Sequence, residues 1–226
     1  MPIKHPIIAI LGGTGREGTG LALRWATAGY TILIGSRQEE KAKVSAEKIN
    51  NQLGIRSISG LSNLEAAKRA EVCILTVIYS AHSEAVGSVK NVMEGKILVD
   101  ATSRVDFQNP KPPAAPCAAE QAQTILGPKV RIVAAFQNVP AKLLSRFFEQ
   151  PLDADVLVCS DDVSAAEQVI GLAEAAGMNG YYAGPLVNAN VIEGLTSILI
   201  SLNKYYGIKD TRVRISGISK ERNHQL

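Results

Sequence analysis

The stretch Ile7-Ile-Ala-Ile-Leu-Gly-Gly-Thr-Gly-Arg-Glu-Gly18 decides the fold of this chain. Its first five residues are all apolar, which is typical of a strand covered on both faces of a parallel sheet. The glycines that follow form the pattern GxGxxG at Gly13, Gly15 and Gly18. In such a loop the first glycine permits the tight turn, the second lets a diphosphate approach the backbone, and the third lets helix and strand pack closely. The loop therefore predicts dinucleotide binding at the N-terminus of the helix that follows.

Short β-rich runs alternate with helical patterns along the rest of the chain, which indicates a parallel α/β sheet. Strands are predicted over residues 7–11, 30–34, 56–59, 72–77, 97–99 and 130–135. The expected fold is α/β, a Rossmann-type doubly wound parallel sheet with a small C-terminal domain. We place the nucleotide-binding domain at residues 1–140 and the second domain at 141–226, where the alternating residues 213–218 predict a further strand.

Composition and charge exclude several classes of protein. The 226 residues carry 24 Lys and Arg against 21 Asp and Glu, so the net charge is only +3, and these residues are not concentrated in one cluster as a nucleic-acid partner requires. No stretch reaches 18 uncharged apolar residues, so no membrane span is expected. Three widely spaced cysteines and no Cys/His cluster predict no metal site. With no signal-peptide pattern at the start, the expected location is cytoplasmic.

The end of the second predicted strand indicates which dinucleotide binds. An NAD site has a carboxylate there, but this chain has Gly35-Ser-Arg-Gln38. Ser36 can donate a hydrogen bond, and the planar guanidinium of Arg37 suits a phosphate. Lys41 lies four residues later and would share a helix face with Arg37. These donors predict the extra 2′-phosphate of NADP(H).

Several segments together resemble the family of NADPH-dependent F420 reductases (F420H2:NADP oxidoreductases). The similar segments are residues 10–24, 34–37, 40–42, 75–77 with His82, 98–102, 133–141, 155–162, 183–186 and 214–218. The resemblance implies a homodimeric enzyme that moves a hydride between NADP(H) and the deazaflavin coenzyme F420, a small-molecule redox substrate. It also implies residue roles. Thr14, Gly15, Arg16 and Glu17 would line the diphosphate, and Val77, Ala141 and Val213 would flank the nicotinamide half.

The same resemblance places the deazaflavin near Gln137–Val139. The chain departs from the family pattern at Gln137, where the family has His, and at Ile78, where it has Pro. Hydride transfer depends mainly on ring positioning, so no acid or base is required by the chemistry. We hypothesise that Gln137 and Asn138 hydrogen-bond the carbonyl edge of the acceptor ring.

His82 follows the fourth predicted strand at its carboxyl end, where open α/β sheets bind ligands. Either it contributes to the site, or it is a hydrogen-bonded histidine at a helix start. Two alternatives to F420 reduction also stay open from the residues. The nucleotide site could serve an NADPH-dependent flavin or ferric reductase, or a non-catalytic NADPH-binding redox sensor.

Overall fold

The computed structural model of the protein describes residues 5–146 and 148–218. Its main sheet contains six parallel strands in the order β3-β2-β1-β4-β5-β6. The strands are β1 (Ile8–Leu11), β2 (Ile32–Ser36), β3 (Ile58–Ser62), β4 (Val72–Leu75), β5 (Ile97–Asp100) and β6 (Arg131–Ala134). This order is that of the dinucleotide-binding doubly wound fold, so the predicted fold class is confirmed.

Helices cover both faces of the main sheet. The helices that belong to this half of the chain are α1 (Arg16–Thr27), α2 (Glu39–Leu53), α3 (Asn63–Arg69), α4 (His82–Val89) and α5 (Ala118–Leu126). Side chains of α1 and α2 pack with one face of the strands, and side chains of α3, α4 and α5 pack with the other. Strands buried on both faces explain the continuous apolar runs in the sequence.

The chain reverses direction across the sheet at β1. From β1 it winds outward to β2 and β3, and from β3 it returns past β1 to β4, so β1 and β4 are hydrogen-bonded neighbours. The loops after these two strands diverge and leave a crevice at the carboxyl edge of the sheet. Open α/β sheets bind their ligands at this switch point.

The C-terminal part adds a two-stranded parallel sheet and a long helix. Its elements are α6 (Ala141–Leu144), β7 (Asp155–Val158), α7 (Val163–Ala175), β8 (Asn179–Tyr182) and α8 (Ala189–Tyr206). The strand predicted over residues 213–218 is wrong. Here the Val213 carbonyl accepts the Asp155 amide at 3.1 Å, but the Ile215 amide donates to the Asp155 carboxylate instead of continuing a backbone ladder.

Two side chains of α1 connect the two parts of the chain. Arg24 is 2% exposed, and its guanidinium donates to the carbonyls of Leu144, Arg146, Gln150 and Ala176. Trp25 Nε1 donates to the Leu172 carbonyl at 2.8 Å, and its ring packs edge-on against Phe136. One apolar core therefore includes residues from both sides of residue 140. The division there stays a prediction.

Within the described residues, one helical stretch, Leu186–Tyr206, is long and apolar enough to cross a membrane by length and composition. About 44% of its most apolar window is buried inside the protein. A core helix of a globular protein passes the same test, so this observation alone assigns no membrane role.

Candidate functional site: a cavity beside the glycine loop

Two glycines of the GxGxxG motif, Gly13 in the loop between β1 and α1 and Gly18 in the first turns of α1, are packed too tightly for side chains. A Cβ on Gly13 would lie 2.6 Å from the Ile10 carbonyl oxygen, and one on Gly18 would lie 2.6 Å from the Gly13 Cα. A Cβ on Gly15 would meet only the Gly12 carbonyl oxygen, at 3.8 Å. Gly15 thus faces open space at the start of α1, where backbone amides and the helix dipole favour an anion. The residues present fit a dinucleotide diphosphate.

A buried asparagine holds this loop in place. Asn63 Oδ1 accepts the Gly12 amide at 3.2 Å, and a Cβ on Gly35 would lie 2.8 Å from the same oxygen. Gly12 has φ +72°, a conformation that favours glycine. Sequence reasoning missed Asn63, because the contact spans 51 residues and has no local signal.

The predicted 2′-phosphate site lies at the end of β2. Ser36 is buried, and its Oγ accepts the Gln38 amide at 3.1 Å. Arg37 is mostly exposed, with Nη1 3.8 Å from Glu84 Oε2, a weak pairing that a phosphate can displace. Lys41 is exposed in the first turn of α2. Because α2 begins at Glu39, Arg37 precedes the helix, and the predicted shared helix face is wrong.

Two carboxylates near this pocket share one lysine partner. Glu39 and Glu40 occupy the first turn of α2, where they could repel a phosphate or mimic an NAD-type ribose contact. Lys43 Nζ lies 3.0 Å from Glu39 Oε1 and 2.7 Å from Glu40 Oε1, so its single positive charge offsets part of their negative charge. Arg37 and Lys41 are the cations that a 2′-phosphate would meet here.

A cavity of about 700 Å³ opens at the switch point beside the glycine loop. Its volume lies in the range of small-molecule and cofactor sites. The predicted residues that line it are Gly15, Arg16, Glu17, Val77, Gln137, Asn138 and Ala141. The lining residues that sequence reasoning did not name include Thr76, Thr102, Ser103, Phe107, Thr196, Leu199, Asn203, Lys204, Lys209 and Thr211. Several of these belong to α8 and the segment after it.

Glu17 brings a carboxyl group to the wall of this cavity. It is half-buried in the first turn of α1. Burial raises the pKa of Glu17 to about 8, and the nearby Asp100 carboxylate adds to that increase. A carboxyl group with this pKa is mostly protonated at neutral pH.

Gln137 has one amide atom in use and one without a partner. Its Nε2 donates to the Asp100 carbonyl at 2.8 Å, which fixes the side chain against β5. Its Oε1 is buried and has no hydrogen-bond partner among the described residues. Buried amide oxygens are normally satisfied, so this acceptor fits a ligand N–H. Because Nε2 is already used, the free atom of Gln137 is an acceptor and not the donor that a ring carbonyl edge would need; the predicted contact with the acceptor ring stays a prediction.

Asn138 does not play its predicted role through its side chain. Its Nδ2 donates to the Asp155 carbonyl at 2.6 Å, and its Oδ1 accepts the Leu157 amide at 3.4 Å. The side chain is 1% exposed and connects β6 to β7. Asn138 thus shapes the cavity from behind, while both its amide atoms are committed to β7.

His82 lies behind the cavity, and the residues that line the cavity do not include it. It is fully buried at the first residue of α4, with Nε2 2.6 Å from Asp100 Oδ2. The other Asp100 oxygen accepts the Thr102 amide at 2.9 Å. The structure therefore favours the hydrogen-bonded helix-start histidine over a direct contact with ligand.

Comparison with known proteins connects this geometry to a family. The family model described as NADP oxidoreductase, coenzyme F420-dependent, matches residues 7–104. The F420-dependent NADP reductase of Methanothermobacter marburgensis is 39% identical over 93% of this chain and 98% of its own length. The reductase of the same name from Methanocaldococcus jannaschii is 38% identical over 93% and 98%. The chain belongs to the F420-dependent NADP reductase family.

A solved structure supports the fold of this family member. A candidate F420-dependent NADP-reductase from Arthrobacter sp. FB24 superimposes with a TM-score of 0.78 at 23% identity, covering 94% of this chain and all of the other. At that identity the comparison supports the fold alone. The fold includes the C-terminal elements that complete the cavity.

In this family member, the segment after α8 differs from the sequence expectation at one position. Val213 was expected beside the nicotinamide, but its backbone lies along β7 and Thr211 lines the cavity instead. Thr211 is held there because its amide donates to Asn203 Oδ1 at 3.1 Å, near the end of α8. The residue that lines the cavity is therefore two positions earlier in the sequence than the predicted one.

The proline-rich segment 103–117 forms one rim of the cavity in this family member. Ser103 and Phe107 line the opening, and a buried ion pair secures the segment. Arg104 Nε lies 2.7 Å from Glu193 Oε2 on α8, and Glu193 Oε1 accepts the Ala118 amide at 2.7 Å. Burial raises the pKa of Glu193, while Arg104 opposes that increase.

Proposed function

We propose that this chain transfers hydride between NADP(H) and the deazaflavin coenzyme F420. The observation that carries the proposal is the cavity at the switch point, which runs from the glycine loop to α8 and whose accessible wall surface is mostly apolar, with polar and charged side chains at its edges. That arrangement suits two stacked ring systems. The F420-dependent NADP reductases to which the chain is similar identify the pair of rings.

The nucleotide half would be bound by residues of the β1–α1 loop and the end of β2. Thr14, Gly15 and Arg16 would contact the diphosphate at the helix N-terminus, because the amides there have no intrahelical partners. Glu17 would lie between the diphosphate and the ring. Ser36, Arg37 and Lys41 would bind the 2′-phosphate in a pocket that has no ribose-binding carboxylate. Val77 and Ala141 would flank the nicotinamide.

The chemistry of hydride transfer is supplied by the two bound ring systems. The chain holds the rings at contact distance, which makes the transfer effectively unimolecular, and keeps water out of the space between them. Gln137 Oε1 would accept a hydrogen bond from an N–H of the acceptor ring, since that oxygen has no partner among the described residues. Lys142, Lys204 and Lys209 line the cavity and suit the anionic tail of F420.

The test follows NADPH oxidation by the purified protein with F420, with FMN and with a ferric chelate as separate acceptors. Rapid oxidation with F420 alone supports the proposal. Faster turnover with FMN or the ferric chelate would identify one of the other reductases, and tight NADPH binding with no acceptor would identify a sensor. Gln137→Ala should raise the KM for F420 about tenfold, the effect of losing one hydrogen bond, while the Kd for NADPH stays unchanged.

We also propose that the protein is a homodimer that pairs through the outer face of α8. Large apolar side chains are exposed there, including Val191 at 74% and Tyr205 at 84%. Contiguous apolar surface of this kind marks protein interfaces. The matched test is sedimentation of the native protein and of Tyr205→Glu, which should shift a dimer toward monomer; a native monomer at micromolar concentration would contradict this part.

We place the enzyme in the cytoplasm, where both diffusible coenzymes would be available to it. Fractionation of cells that express the tagged full chain tests this location. Recovery with the membrane fraction after a high-salt wash would contradict it.

A further inference from the structure

Glu17 is the acidic residue of α1 that lines the cavity beside the glycine loop. Among the described residues it makes no hydrogen bond and no ion pair, although it is half-buried. It lies one residue after Arg16 and two after Gly15, which face the expected diphosphate. Glu17 lines the same cavity as Val77 and Ala141, the residues expected to flank the nicotinamide, so its carboxyl group is placed on the nicotinamide side of the diphosphate. The proposed function gives Glu17 this position but assigns no chemistry to its carboxyl group.

The charges around Glu17 favour a neutral carboxyl group in the absence of ligand. Asp100, at the end of β5, raises the pKa of Glu17, and burial raises it further, to about 8. His82 on α4 is hydrogen-bonded to that Asp100 carboxylate. Arg16 lies in the same helical turn, and its positive charge favours the ionised form of Glu17. The positive end of the α1 dipole has the same effect. Of these influences, burial is the largest.

Cationic side chains also line the cavity. Lys142 of α6, Lys204 of α8 and Lys209 of the following segment all line it. Lys204 Nζ is held by the Gln108 carbonyl at 2.7 Å. Glu17 therefore stands in a cavity where its ionisation is opposed by Asp100 and favoured by any positive charge that arrives next to it.

The two oxidation states of the nicotinamide differ in charge at this position. The oxidised ring carries one positive charge and the dihydro ring carries none. An ionised carboxylate beside the ring attracts the first and gains nothing from the second. The diphosphate and the 2′-phosphate are the same in both states, so their effects on Glu17 cancel in a comparison.

We propose that Glu17 is the proton-releasing group of the nicotinamide site and selects between the two oxidation states of the nucleotide. Binding of NADP⁺ converts the Glu17 carboxyl group to carboxylate and releases one proton to solvent. Binding of NADPH leaves the carboxyl group protonated. No electrons move in this step, and its charge balances as neutral acid giving carboxylate plus H⁺. The inference rests on the proposed function only in requiring that the site binds NADP(H).

The test is calorimetry of NADP⁺ and NADPH binding to the full chain in buffers of different ionisation enthalpy. At pH 7 we expect NADP⁺ to release about half a proton or more in excess of NADPH. Between pH 6.5 and 8.5 the affinity for NADP⁺ relative to NADPH should rise about tenfold, because linkage permits up to tenfold per pH unit for one proton. Titration of the 2′-phosphate near pH 6 does not affect this ratio.

Glu17→Gln is the decisive variant, and Glu65→Gln is its matched control. Glu65 also lies in the first turn of a helix, but it pairs with Arg69 on the surface of α3. Glu17→Gln should abolish the excess proton and make the affinity ratio independent of pH, and Glu65→Gln should change neither. Equal proton release with both oxidation states overturns the inference. So does excess release that persists in Glu17→Gln, which would assign the proton to His82 and Asp100.

Failure here is distinguishable from failure of the proposed function. If NADPH binds and F420 is reduced but proton release is equal, only the role of Glu17 is lost. If no NADP(H) binds to the native protein at all, the proposed function fails first.

Discussion

Replacement of Arg37 should separate the affinity for NADPH from the affinity for NADH. In the structure Arg37 lies between β2 and α2, and most of its side chain is exposed. Its ion pair with Glu84 is 3.8 Å long. Both side chains are more than two-thirds exposed, so the pair contributes about 0–1 kcal/mol and costs little to break when a phosphate binds.

The expected magnitude follows from the bonds that a phosphate would form. A hydrogen bond to a charged group contributes about 1.5–3 kcal/mol. Arg37→Ala should therefore raise the Kd for NADPH about 10–100-fold, because about 1.4 kcal/mol corresponds to a factor of ten. NADH lacks the 2′-phosphate, so its Kd should change by less than about twofold.

Glu84→Gln is the matched control, because it removes the carboxylate that competes for Arg37. It should tighten NADPH binding by at most about fivefold, the equivalent of about 1 kcal/mol, and leave NADH unchanged. Fluorescence titration with both nucleotides, at low salt and at 0.15 M, measures these values. The loss in Arg37→Ala should shrink at the higher salt, where charges are screened beyond about 8 Å. Equal losses for NADPH and NADH would refute the assignment of this pocket to the 2′-phosphate.

Three further predictions concern the glycine loop, Glu17 and Arg24. Gly15→Ala should leave the melting temperature nearly unchanged while weakening NADPH binding at least about tenfold. Gly18→Ala should also lower the free energy of unfolding by about 1–3 kcal/mol, because its Cβ would meet backbone. Equal stability of the two variants would contradict the packing seen in the structure. The pKa of Glu17 is raised from 4.5 to about 8, so the folded state holds a proton that the unfolded chain releases, and this group lowers stability as pH rises from about 4.5 to 8. In denaturation experiments Glu17→Gln should therefore gain stability over the native protein across that window. Parallel plots of the free energy of unfolding against pH for the two proteins would contradict this. Arg24→Met should cost about 3 kcal/mol or more in urea unfolding, because it removes the guanidinium from four carbonyls, and a loss below 1 kcal/mol would show that those bonds contribute little.

The main sheet could be predicted from the sequence because its signals are local. Each strand of a parallel sheet is buried on both faces and reads as an apolar run, and the ends of each predicted strand lie within three residues of the observed ones. The short helix α6 had no comparable signal, since Ala141–Leu144 is a single turn whose position is set by packing against α1.

The strand predicted over residues 213–218, which the structure does not form, shows what hydrophobic periodicity alone can predict. Val213 and Ile215 are partly buried while Arg212 and Arg214 are exposed, so the alternation in the sequence matches the burial. A strand also needs a ladder of backbone hydrogen bonds, and here the Asp155 carboxylate accepts an amide that a ladder would have used. Hydrophobic alternation predicts which side chains face inward and leaves the hydrogen-bond partner undetermined.

The same distinction divides the candidate site into a predictable half and an unpredictable one. The glycine loop and the Ser36–Arg37 pair are contiguous motifs whose chemistry follows from residue type and spacing, so the nucleotide half was accessible from the sequence. The ring half is assembled from α8, the segment after it and the loop that follows β6, which are distant in the chain and carry no shared motif.

Gln137 and Glu17 show how the tertiary structure gives these side chains their properties. The sequence alone does not distinguish these two residues from the other amide and acidic residues of the chain. Only the fold uses one end of the Gln137 amide on β5 and leaves the other unpartnered, and only the fold buries Glu17, with Asp100 nearby, so that its pKa is raised to about 8. Because both effects depend on the carboxyl end of β5, a change at Asp100 should alter the acceptor half and the nicotinamide half of the cavity together.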